Sequence, residues 1–236
     1  MVNTVYILNP GGRLGVKERQ EREREAVSRA ILDAARDLFV ADGYPHVSIR
    51  KIAERIEYSP AAIYGYFPSK DDIFFALAEE GFRLLISAAA QRDLEQSDGT
   101  DPVGAVRRAM MRVYEFSKSH PEYFALMFLD RSVPQINKNW SRFGFVREMR
   151  LQLDALIQRA IDAGHFPAGV HPGVLFRILL TAVHGASVMR LCDRLAPGED
   201  ADAIARDALE AVLTGLQAGS PITSSSVGCV DFDLAQ

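Results

Sequence analysis

Apolar positions recur along this chain at helical spacing from residue 27 to residue 215, and nowhere do apolar and polar residues alternate long enough to make a useful strand. Val27, Ala30, Ile31, Ala34, Ala35, Leu38 and Phe39 follow the i, i+3, i+4, i+7 rule, and Gly43 supplies a C-terminal stop. Ser48 caps a short second helix with Ile49, Ile52, Ala53 and Ile56 on one side. Ser59 followed by Pro60 is an N-cap with proline at the first helical position, and it opens a third. Ser69 and Asp72 form a capping box in front of a stripe of Ile73, Phe74, Leu77, Gly81, Leu84, Leu85 and Ala88. Further helices start at Asp101-Pro102 (Val103, Val106, Met110, Val113) and at Pro121. Another runs through Val146, Met149, Leu153, Leu156, Ala160 and Ile161 to Gly164. His171-Pro172 opens an almost wholly apolar helix to about Cys192, and Asp200 begins the last, with Ile204, Ala208, Val212 and Gly215 along one face. The pattern predicts an all-α protein of about nine helices without internal repeats.

The ends lack this order. Residues 1–15 hold Pro10 and three glycines without a period, and 17–25 alternate in charge, so residues 1–23 read as a flexible arm running into a helix. Such an arm either touches a polyanion or is a solvated tail, and the sequence leaves both open. After the last apolar period, 219–236 opens with small and serine residues and reads as a frayed tail. Between them lie a three-helix unit over 24–84 and a larger helical unit over 85–218.

Composition narrows the classes. At 236 residues and 48% hydrophobic, the chain can bury one large core or two smaller ones. No apolar run approaches the roughly 18 residues that would cross a bilayer, and residues 5–8 are too short for a signal peptide, so a cytoplasmic location is expected. Cys192 and Cys229 are too few for a disulfide framework or a cysteine metal site. The net charge of -4 is wrong for indiscriminate coating of nucleic acid. Its distribution is more informative: residues 13–70 carry 11 basic against 9 acidic residues, leaving six net negative charges on the remainder.

Helices two and three are short, strongly capped and separated by Glu57 and Tyr58, the pattern of two helices crossing steeply at a tight turn. Ala53 is small where its partner must approach. In helix three only Ile63 and Phe67 form an obvious inward pair, which leaves a face that is small in front (Pro60, Ala61, Ala62) and hydroxyl-bearing behind (Tyr64, Tyr66, with Gly65 between). Small side chains admit a helix to a major groove, and tyrosine hydroxyls bond phosphates or base edges. The competing reading is a structural bundle whose tyrosines cover the core edge.

The run Ser48-Ile49-Arg50-Lys51-Ile52-Ala53, then Tyr58-Ser59-Pro60-Ala61-Ala62-Ile63-Tyr64-Gly65-Tyr66-Phe67-Pro68-Ser69-Lys70-Asp71-Asp72-Ile73, resembles the DNA-binding domain of TetR-family repressors over about residues 24–84, with the motif at 48–67. The resemblance implies that Tyr64, Tyr66 and Lys70 contact phosphates of double-stranded DNA. It also implies that Pro60, Ala61 and Ala62 face bases, with Ser48, Arg50, Lys51, Ser59 and Gly65 nearby. Glu57 departs from the glycine usual in that turn, so a left-handed backbone or a shifted turn is expected there.

The second unit also carries a resemblance. His120-Pro121-Glu122-Tyr123-Phe124-Ala125-Leu126-Met127-Phe128, with Val183-His184-Gly185 later, is similar to the C-terminal domain of the TetR subgroup named for a Trp-His-Gly triplet, although Val183 stands in place of the tryptophan. Met110, Tyr114, Phe124, Met127, Phe128, Trp140, Phe143, Phe145 and Met149 make candidate walls for a small hydrophobic or amphipathic effector, with His184 as a polar contact. The plainer reading of each is core packing, with His184 a satisfied buried histidine. The helix over 174–192 is apolar on too many sides for a one-sided contact. It is expected to meet its own copy through Val174, Ile178, Ala182, Gly185, Ala186 and Met189, joined by Ile204, Ala208 and Val212. A homodimer would set two reading helices about one DNA turn apart, roughly 34–36 Å or somewhat more, facing a palindromic operator.

Other functions find less support. A helical enzyme using His120, His184 or Cys192 would need a phosphate loop, a metal-spaced histidine pair or a serine elbow, and the sequence has none of these. His165 and His171 flank Gly164 and Pro167 in a loop, a weak metal signal, so neither a metal nor a cofactor is expected. A ligand-binding protein with a decayed DNA-binding head would show a charge reversal or helix breaker in helix three, and neither is present.

Overall fold

The structure, a computed structural model, describes residues 16–96, 101–134 and 144–223. Among them are nine α-helices and no strand: α1 (Val16–Asp42), α2 (Ile49–Arg55), α3 (Pro60–Tyr64), α4 (Lys70–Gln96), α5 (Pro102–Ser119), α6 (Pro121–Phe124), α7 (Gly144–Asp162), α8 (Pro172–Leu191) and α9 (Ala201–Gln217). The caps expected from the sequence are formed. Ser48 accepts from the Lys51 amide and Ser59 from the Ala62 amide; Asp101, His171 and Asp200 do the same for α5, α8 and α9. At φ 78°, Gly43 ends α1, donating to the Phe39 carbonyl at 3.0 Å before a single 3₁₀ turn (Tyr44–His46).

Two boundaries differ from expectation. Helix α1 already begins at Val16, so residues 16–23, expected in the arm, are helical and solvent-exposed. Helix α3 ends at Tyr64 rather than at Phe67, because Gly65, Tyr66 and Phe67 close on Ala62 and Ile63 carbonyls in a turn that hands the chain to α4. Residues 1–15 and 224–236 lie outside the described residues.

Helices α1–α3 wrap the start of α4, while α5, α7, α8 and α9 pack around one another. Although two units were expected, the buried apolar side chains form one cluster from Ile31 to Leu216. The long helix α4 belongs to both halves. Gly81 makes its close approach to α6 and the turn after it possible, since a Cβ there would crowd the Tyr123 ring and collide with Met127 Sδ. The chain then passes from α6 into a π turn (Ala125–Leu129), an irregularity often retained at functional places. Across this junction Arg29 of α1 pairs with Glu80 of α4 at 2.5 Å, and the Arg36 guanidinium stands 5.6 Å over the Tyr123 ring.

The expectation that no apolar run approaches membrane-spanning length is corrected by α8, which at 20 residues with mean hydropathy 1.5 is long and apolar enough to cross a membrane by length and composition alone. Its physical division is clear. Leu175, Phe176, Leu179, Val183 and Ser187 are buried inside the protomer, while Arg177, Thr181, Gly185 and Met189 form an exposed stripe one turn apart.

Candidate nucleic-acid interface and cavity

Helix α3 is pinned by a single fully buried side chain, Ile63, and by the cap at Ser59. Burial of one isoleucine contributes about 2 kcal/mol, enough to hold so short an element against α2 but not to hide it. Pro60, Ala61 and Gly65 are exposed, Ala62 and Tyr66 half-buried, and Tyr64 is 55% exposed. The surface-facing, small-then-tyrosine arrangement expected from the sequence is what the structure presents. Arg24 buttresses it from α1, donating to the Gly65 carbonyl at 3.2 Å with its guanidinium 5.0 Å from the Tyr66 ring centre.

The turn between α2 and α3 adopts the left-handed alternative. Glu57 has φ 58°, and the Tyr58 amide donates to the Ala53 carbonyl at 2.9 Å. A non-glycine residue costs about 1–2 kcal/mol in that conformation, yet the turn keeps its geometry because Ala53 and Ile63 are locked in the core.

The basic residues divide into three kinds. Arg50 is fully solvated and pairs with Glu54 at 2.8 Å, which holds its guanidinium above the ordinary range. Solvent screens a surface pair of this sort, so an approaching phosphate competes easily. Lys51 pairs with Asp42 at 2.7 Å. Lys70 is different. Its ammonium donates to the Tyr44 carbonyl at 2.8 Å and the Val47 carbonyl at 3.0 Å and lies 4.0 Å from the Tyr44 ring centre. Desolvation lowers its pKa, and the nearby Asp71 charge opposes the shift. The Tyr44 hydroxyl in turn donates to the Asp71 carboxylate. Two of the three donors on Lys70 are thus spent tying α4 to the α1–α2 connection, which makes it a brace within the unit as well as a candidate phosphate contact. The Lys70→Met variant should lose about 2 kcal/mol of stability, since two carbonyls lose a charged donor; urea unfolding of the full chain, free of DNA, checks this.

A partly open cavity of about 280 Å³ lies between α4, the π turn, α5, α7 and α8. Phe82, Leu85 and Ile86 enter it from α4, Ala109, Arg112 and Val113 from α5, and Phe128 from the π turn. Met149, Gln152, Leu153, Leu156 and Arg159 come from α7, with Phe176 and Leu180 from α8. Phe128 and Met149 are the candidate wall residues found there. Met110, Tyr114 and Phe124 are instead fully buried core, and the Tyr114 hydroxyl donates to Asp202 of α9 at 2.7 Å, away from the cavity. Met127 packs on Gly81. Trp140 and Phe143 lie outside the described residues, as does the Phe145 side chain.

His184 does not line the cavity but stands behind it, 4.8 Å from the Phe128 ring and 5.2 Å from Phe124. The two sequence segments resembling one subgroup therefore meet in space. Its Nε2 is buried without a hydrogen-bond partner among the described residues, and burial holds the imidazole below its ordinary pKa. The folded state therefore resists protonation: stability is complete above the unfolded value of about 6.5 and falls as pH drops below it, by at most about 1.4 kcal/mol per pH unit for one proton. Urea midpoints at pH 7.5 and 5.5 should fall further in the wild type than in His184→Leu; equal falls would contradict this assignment.

On the exposed side of α8, Gly185 borders open space where a side chain would stand, and Met189 is 36% exposed. Ile178 and Ala182 of α8 and Ile204, Ala208 and Val212 of α9 are half-buried. Val174 and Ala186 are corrected: both are buried within their own protomer, which removes them from the exposed side of α8.

Residues 31–77 match the family model described as bacterial regulatory proteins, tetR family. The chain is 38% identical over 66 residues to the HTH-type transcriptional repressor Rv1474c of Mycobacterium tuberculosis, covering 28% of this chain and 35% of that protein. It is 26% identical over 186 residues to the HTH-type transcriptional repressor AcnR of Corynebacterium diphtheriae, covering 75% of this chain and 84% of that protein. The chain thus spans about a third of the first relative's length and most of the second's. Among solved structures, the transcriptional regulator FadR from Bacillus subtilis in complex with stearoyl-CoA superposes with a TM-score of 0.62 at 18% identity, over 79% of this chain and 98% of that one. At that identity the likeness establishes a common fold.

Proposed function

We propose that this protein is a ligand-responsive, sequence-specific DNA-binding transcriptional regulator. It acts as a repressor that holds a palindromic operator as a homodimer in the cytoplasm and releases it when a small hydrophobic or amphipathic effector binds. One observation carries the reading: α3, inside a tetR-type domain, turns its small residues and Tyr64 to solvent instead of to the core. Pro60, Ala61 and Ala62 face bases, Tyr64, Tyr66 and Arg50 meet phosphates, and Ser48 and Ser59 serve first as caps. The exposed stripe on α8, with Ile204, Ala208 and Val212 on α9, is the surface on which a second copy closes a four-helix bundle.

The cavity supplies the switch. Three of its lining residues come from α4, which follows α3 directly, so an occupant that fits only a shifted α4 moves the α1–α3 unit with it. The coupling equals the difference in ligand affinity between the two arrangements. Packing of His184 against Phe124 and Phe128 supports the likeness to the Trp-His-Gly subgroup. The stearoyl-CoA bound by FadR, which shares this fold, accords with an amphipathic effector. Purified protein incubated with sheared genomic DNA at moderate salt should enrich fragments sharing one inverted repeat, and a panel of amphipaths should release them. Recovery no different from random duplex would end the proposal.

A further inference from the structure

Helix α3 has few anchors of its own. Its five residues make little more than one turn, Ile63 is its one buried side chain, and an isolated helix of that length does not hold its shape in water. Its orientation therefore comes from its neighbours. In front, the Ser59 hydroxyl fixes the N-terminus; behind, where the last carbonyls of a helix lack partners within it, the support comes from α1. Arg24 reaches across 41 positions of sequence to donate from Nη2 to the Gly65 carbonyl at 3.2 Å, and its guanidinium lies 5.0 Å from the Tyr66 ring centre. A cation there also meets the negative end of the α3 dipole.

The other end of this strut is rigid. Arg24 stands on the face of α1 that carries half-buried Val27 and fully buried Ile31, three and seven positions on, so the core fixes the helix that carries it. Residues 16–23, beyond it, are exposed. We infer that Arg24 is a positioning residue for DNA reading: through the Gly65 carbonyl and the Tyr66 ring it sets the angle at which α3 presents Pro60, Ala61 and Ala62, and it does not act as a phosphate ligand. The inference rests on the regulator reading above and deepens it. An exposed contact of this kind is worth about threefold in one protomer, and two protomers on one operator multiply that to about tenfold. A random duplex, held by summed phosphate attraction, tolerates a tilted helix.

Fluorescence anisotropy of the full chain on an inverted repeat recovered by genomic selection, and on a random duplex of equal length, tests this together with hydrogen exchange of the DNA-free protein. Arg24→Ala removes both contacts and keeps α1 helical, since alanine is the best helix former. It should bind the selected duplex about tenfold more weakly than the wild type and the random duplex within about twofold. In the free protein the amides of Gly65, Tyr66 and Phe67, which donate to the Ala62 and Ile63 carbonyls, should exchange about threefold faster, with α5–α9 unchanged. Arg22→Ala is the control for charge. Arg22 is exposed and lies on the opposite side of α1, so the same charge is lost with the strut intact, and affinity for the selected duplex should stay within about twofold. Unchanged affinity of Arg24→Ala for the selected duplex, equal losses on the two duplexes, a loss matched by Arg22→Ala, or unchanged exchange at residues 65–67 overturns the inference. Failure of the regulator reading looks different: the wild type itself then prefers no inverted repeat, and the exchange measurement still decides whether Arg24 holds α3.

Discussion

The Ala61→Glu variant is expected to lose at least about a hundredfold in affinity for a duplex recovered by genomic selection, while its unfolding midpoint stays at or slightly above that of the wild type. The two outcomes separate because Ala61 is exposed at the second position of α3 and contributes nothing to the core. A carboxylate there faces the duplex rather than the protein. Like charge brought against phosphates costs several kcal/mol, and about 2.7 kcal/mol already amounts to a hundredfold. In the free protein the same carboxylate lies in the first turn of a helix, where negative charge is mildly favourable. Fluorescence anisotropy at two salt concentrations, paired with thermal unfolding, checks both arms. Unchanged affinity would mean that α3 does not enter the groove.

Gly185→Glu is the second substitution with a large expected effect. Gly185 lies in the middle of the exposed α8 stripe, with open space around its Cα, so a longer side chain is accommodated within the protomer without strain. Glutamate also favours a helix over glycine by several tenths of a kcal/mol. Across a two-fold axis, however, two carboxylates would meet in an apolar interface, and the dimer should not form. Sedimentation should show a monomer with full helicity, and operator affinity should fall by about 10²–10⁴-fold as the second half-site loses its tether. A dimeric Gly185→Glu protein would place the interface elsewhere.

Much of the fold was legible because capping chemistry is local. Ser48, Ser59, Asp101, His171 and Asp200 mark helix starts wherever the chain is read, and Gly43 marks a stop for the same reason. At Glu57 the resemblance left a left-handed backbone or a shifted turn open, and φ 58° selects the first. What escaped was tertiary. Helix α1 extends back to Val16 over residues with no apolar period, because alternating Arg and Glu support a helix without a core. The partners of Lys70 are carbonyls of another segment, which no side-chain pattern discloses.

The cavity was the hardest part to foresee. Met110, Tyr114 and Phe124 look like wall residues and are core, whereas Phe82, Leu156, Phe176 and Leu180 look like core and are wall. Helical periodicity assigns a residue to the inner face of its helix, and both places lie on that face. A usable signal did exist: Arg112 lies on α5 beside Ala109 and Val113, and Arg159 on α7 three residues after Leu156. Charges in such positions are easily read as solvated, and only the packing of α5 on α7 shows that they border one space.

The account stands on two copies presenting α3 together, and a stoichiometric titration tests that most directly. Protein is added to a fixed, tight-binding concentration of the selected inverted repeat, and to the same duplex with its half-sites moved apart by five base pairs. Saturation at two protomers per duplex, with binding lost when half a turn is inserted, is the expected result. Saturation at one protomer, or equal binding to both spacings, would contradict it.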